Sequence, residues 1–114
     1  MRNRRFLGIA LALVMILSPL LATNTQYDEL WVCDSTGTLE TDAVSIMHVV
    51  YVPSAVNDDL ILTDSDDDTA VVLKAGPSDV APVHISFAAE GGRLVYGLKV
   101  GTIDGGTAYV YLKQ

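Results

Sequence analysis

The stretch "LVYGLKVGTIDGGTAYVYLK" (residues 94–113) carries the signal that decides the fold class. Leu98, Val100 and Ile103 are set among small or polar neighbours, and Val110 and Leu112 repeat the pattern further on. Side chains of a strand point to alternate faces, so each run reads as a strand with one buried face. Between them stands Asp104-Gly105-Gly106. A tight two-residue turn needs positive φ, which glycine adopts without steric cost. The spacing predicts a hairpin from Leu94 to Lys113, with Tyr96, Leu98 and Val100 as cross-strand neighbours of Tyr109 and Tyr111.

The same period of two runs back through the chain. "AVSIMHVVYV" (43–52) places Val44, Ile46, His48, Val50 and Val52 on one face, and Ser45, Met47, Val49 and Tyr51 on the other. "ELWVCD" (29–34), "DLILTD" (59–64), "TAVVLKA" (69–75) and "VAPVHISFA" (80–88) complete the set. The spacers "PSAVNDD", "DSDDD", "AGPSD" and "EGG" are turn chemistry. No window after residue 22 has helical spacing, and no internal repeat is visible. Many short strands with frequent turns predict an all-β fold: a single antiparallel β-sandwich or jelly-roll-like domain of about seven strands over 28–114. Residues 23–27 read as a polar linker.

The first 22 residues stand apart. Arg2, Arg4 and Arg5 precede an unbroken apolar run, Phe6 to Leu17, which Ser18-Pro19 interrupts. That is the grammar of a secretory signal peptide. The run is short for a bilayer span, which takes roughly 20 residues. Residues 1–22 are therefore expected to be a hydrophobic helix serving as signal peptide or N-terminal membrane anchor, or else an overextended reading frame. Membrane contact is expected through this segment alone, if it is not cleaved.

Beyond residue 22 the chain holds four Lys/Arg against fourteen Asp/Glu, a formal charge of −10. Such a surface repels phosphate backbones, so nucleic acid is not an expected partner. Cys33 is the sole cysteine and cannot form an internal disulfide. A lone cysteine on an apolar strand reads as a small buried hydrophobe.

Several short stretches invite a chemical reading. "LWVCDSTGTLETD" (30–42) resembles the first motif of haloacid-dehalogenase-type phosphotransferases and P-type ATPases, in which an aspartate placed like Asp34 attacks phosphorus. That chemistry works at the mouth of a parallel sheet flanked by helices, with a lysine and magnesium-binding acids as partners. Here the helices are missing, and Thr36 stands where the phosphatases commonly carry a second aspartate, so Asp34 reads as a strand-ending turn residue. In "DSDDD", Asp64, Asp66 and Asp68 match the first three ligands of an EF-hand-type calcium loop. Thr69 then stands where the sharp turn requires glycine, and Ala75 where a closing glutamate belongs. These three are weak calcium candidates, and the solvated turn is the preferred reading. His48 and His84 lie mid-strand without a Cys or Asp at ligand spacing, so no metal motif is expected there. There is no nucleophile elbow, zinc-protease helix or phosphate-cradling loop. No catalytic or cofactor-binding residues are assigned, no cofactor is expected, and the chain is not expected to be an enzyme. Trp31, Tyr51, Tyr96, Tyr109 and Tyr111 suit either a core or an interface.

Two segments, "VVYVPSAVNDDLILTDSDDDTAVVLKA" and "GLKVGTIDGGTAYVYLKQ", together resemble the small all-β proteins encoded among the structural genes of tailed bacteriophages. In those, a strand ending near "VYVP" leads to a "DDLILTD" hairpin. A "GLKV" strand then precedes a closing "DGGTAYVYL" strand. The resemblance implies a non-catalytic virion subunit, capsid-decorating or fibre-like, with a protein partner or further copies of itself. That is the preferred reading; the alternative, which the N-terminal segment favours, is a secreted, periplasmic or membrane-anchored bacterial β-domain that binds protein or carbohydrate outside the cytoplasm.

Overall fold

The computed structural model describes residues 23–113, and the expected signal or anchor helix lies outside them. The described chain is all-β, with every strand pair antiparallel. In order the strands are β1 (Thr25–Tyr27), β2 (Leu30–Cys33), β3 (Gly37–Val52), β4 (Asp59–Thr63), β5 (Thr69–Lys74), β6 (Val83–Ser86), β7 (Arg93–Ile103) and β8 (Thr107–Leu112). That is eight strands in one sheet where about seven were expected. The additional one falls in the segment read as a linker. Thr25, Gln26 and Tyr27 pair with Val32, Trp31 and Leu30, completing hydrogen bonds along the free edge of β2. Polar residues are suited to such an edge, and composition alone does not mark them as a strand.

The sheet order is β1-β2-β8-β3-β7-β4-β5, with β6 also paired to β3. The expected hairpin of residues 94–113 is therefore not formed, because β3 lies between β7 and β8. Thr107 pairs with Val52, whereas Val100 pairs with Gly37 at the opposite end of β3. A straight strand of this length would span ~50 Å. The short connection from Val100 to Thr107 reaches at most about 25 Å. Strand β3 must bend, and its register breaks show where: between Thr38 and Glu40, Glu40 and Ala43, and Ile46 and His48. The bent strand folds the sheet over itself into a sandwich-like body. Gly106 (φ 80°) passes beneath the end of β3, where an added Cβ would overlap the Val52 carbonyl oxygen.

The same irregularities redistribute the expected faces. The break after Ile46 adds a residue and reverses the alternation. Ile46, Val49 and Tyr51 are buried, while His48 and Val50 pass to the other side. In β7, Gly97 adopts φ 89°. The Ser65 backbone N–H and hydroxyl both donate to the Tyr96 carbonyl, at 3.1 and 2.7 Å. Tyr96 is 68% exposed, although Leu98 and Val100, its expected face-mates, are buried.

One core gathers Cys33, Ile46, Val49, Leu60, Leu62, Leu98, Val110 and their neighbours. Each such aliphatic side chain contributes roughly 1.5–3 kcal/mol on burial. Tyr51 is fully buried, and its hydroxyl donates to the Gly105 carbonyl at 2.6 Å, fastening the end of β3 to the crossing. Burial, then the charges of Asp58 and Asp104, pushes the Tyr51 phenol up to about 12. Cys33 is buried as the sequence suggested.

Candidate functional site: an uncharged tyrosine–histidine face

Strands β1, β2, β8, β3 and β6 are consecutive neighbours, and their outward residues form two rows across the sheet. One row runs Tyr27, Leu30, Tyr111, His48 and Ser86. The next runs Thr25, Val32, Tyr109, Val50 and His84. Tyr27 is 61% and Tyr111 40% exposed, and His84 is also open to solvent. His48 is half-buried between two rings, with Tyr111 edge-on at 5.7 Å and His84 tilted at 5.9 Å between centroids. Neither row contains an Asp, Glu, Lys or Arg, although acids outnumber bases by fourteen to seven in the chain. Such a patch offers ring faces, tyrosine hydroxyls and imidazole nitrogens with no carboxylate, ammonium or guanidinium group to desolvate.

In the sequence Tyr109, Tyr111 and the two histidines stand apart, and Tyr27 lies in the stretch that reads as a linker. A tyrosine flanked by Gln26 and Asp28 carries no alternation that would mark it as part of a sheet.

A groove of about 370 Å³ opens where Gln26, Glu40, Leu94 and Lys113 converge. Glu40 accepts the Trp31 indole N–H at 2.9 Å and the Gln26 amide at 3.2 Å. These bonds hold the carboxylate and tie β1 and β2 to β3. They account for Trp31 as a structural anchor.

The other residues singled out from sequence are used by turns. Asp34 is exposed in an antiparallel setting, and the Asn24 side chain accepts from the backbone N–H of both Asp34 and Ser35, at 3.1 and 3.2 Å. Asp64 Oδ1 accepts from the backbone N–H of Asp66 and Asp68, at 2.8 and 3.0 Å. These two bonds close the turn at Asp64. Asp67, with φ 64°, accepts from Lys99 Nζ at 2.9 Å. Among the described residues no helix is long and apolar enough to cross a membrane.

No family model and no curated protein matches this chain. Among solved structures, a Streptococcus pneumoniae fucose binding module, SpX-3, aligns over 86% of this chain and 75% of its own. The identity is 14% and the TM-score 0.39, too low to show a common fold.

Proposed function

We propose that this chain is a non-catalytic binding domain, a jelly-roll-like β-sandwich that docks protein or carbohydrate outside the cytoplasm through its tyrosine–histidine face. The observation that carries the reading is the exposure of Tyr27 and Tyr111 within two rows that hold no Asp, Glu, Lys or Arg, in a strongly acidic protein. Aromatic enrichment with charge depletion is the compositional mark of an interface core. Tyrosine also suits ligands that are part apolar and part hydroxylated, because its ring packs while its hydroxyl bonds. The compartment follows from reading residues 1–22 as a signal or anchor. A second reading, a small phage virion subunit, is supported by the resemblance of "DDLILTD" and "DGGTAYVYL". The same face would then be the contact with the larger assembly.

The test is a Tyr27→Ala/Tyr111→Ala double variant, compared with the parent on a glycan panel and by sedimentation for self-association. Substitutions at exposed positions leave stability within about 0.5 kcal/mol. A binding or self-association signal in the parent should vanish in the variant while the melt is unchanged. A signal that persists in the variant would place the contact elsewhere and overturn this assignment.

A further inference from the structure

His48 and His84 are far apart in sequence, yet β3 and β6 bring them side by side. His48 pairs with Ser86 and Val50 with His84, so the imidazoles are diagonal neighbours on one face. Diagonal positions lie within reach of long and aromatic side chains. The ring centroids are 5.9 Å apart, with the planes inclined at 42°. No ion pair engages either imidazole among the described residues.

Imidazole nitrogen binds zinc at about 2.0–2.1 Å, so two rings on one tetrahedral ion have centres roughly 5 Å apart. The observed separation exceeds that by about 1 Å, a difference that small rotations about χ1 and χ2 remove. His84 is solvent-exposed and free to make such a rotation. We propose that His48 and His84 chelate one divalent transition-metal ion of the zinc, nickel or copper class. Neutral imidazole is a preferred ligand for these ions, whereas calcium and magnesium take oxygen. No group of three or more His, Cys, Asp or Glu gathers around an ion position among the described residues. The protein therefore supplies two ligands, and the remaining positions are open to water. This site stands on ring geometry and does not depend on the face being a docking surface.

Isothermal titration of the full chain, free of any polyhistidine tag, with zinc chloride near neutral pH provides the test. One ion should bind per chain. Binding should be lost in His84→Ala and in His48→Ala, with circular dichroism reporting an intact fold in the His84 variant. It should also be lost on acidification to about pH 5, because a protonated imidazole cannot ligate. An absence of zinc binding in the parent would overturn the proposal. So would binding that persists undiminished in His84→Ala, or displacement of zinc by equimolar calcium, since both would assign the ion to carboxylates.

Discussion

Gly106 and Gly91 provide a matched pair of probes for the crossing beneath β3. Their φ values are nearly the same, 80° and 77°. Their surroundings are not. A Cβ at Gly91 would meet nothing within 4 Å, whereas one at Gly106 would overlap the Val52 carbonyl oxygen and lie 2.8 Å from Pro53 Cα. Placing an L-residue in the left-handed region costs roughly 1–2 kcal/mol, and Gly91→Ala should lose about that. Gly106→Ala incurs the same backbone term and must also displace the Val52–Pro53 backbone. Forcing atoms into a packed site adds typically 1–3 kcal/mol, for a total of about 2–5 kcal/mol. In a domain of this size each kcal/mol lowers Tm by roughly 4–8 °C. Urea melts read the two variants directly, provided the slopes match that of the parent. Equal losses at both positions would refute the reasoning, because an open hairpin turn would charge only the shared backbone term.

Three further outcomes follow from the packing. Leu98 is fully buried, and Leu98→Ala should destabilise by about 2–5 kcal/mol in the same melts; a loss under about 1 kcal/mol would remove it from the core. Burial, reinforced by Asp34, raises Cys33 from 9.0 to about 12. Its folded value lies above the unfolded one, so the neutral thiol's contribution is whole below about pH 9 and is lost as pH rises through about 12. Stability should therefore decline across that alkaline window, and Cys33→Ala should flatten part of the slope; an unchanged slope would contradict the assignment. Millimolar calcium should leave Tm unmoved because Asp64 Oδ1 already closes its own turn. A site at a hundredfold excess over its Kd would add about 2.7 kcal/mol, so a rise of several degrees abolished by Asp66→Ala would establish a calcium site.

Strand existence was legible in the sequence because alternation and turn chemistry are local properties. "DLILTD", "TAVVLKA" and "TAYVYLK" contain β4, β5 and β8 with boundaries close to those read from the pattern. Cys33 as a buried hydrophobe followed from the same local logic. Which strands are neighbours did not. Asp104-Gly105-Gly106 has hairpin composition, but a glycine pair supplies positive φ equally to a hairpin and to a crossing that must pass close to another backbone. Backbone hydrogen bonds carry no sequence label, so β7 and β8 each pair with the long β3. The register break after Ile46 and the positive φ of Gly97 depend on that packing, and they move His48, Val50 and Tyr96 off the faces that alternation predicts. For this reason the tyrosine–histidine face could not be read in advance. Tyr27, His48, His84 and Tyr111 come from four different strands, and only the order β1-β2-β8-β3, with β6 on β3, sets them on one surface.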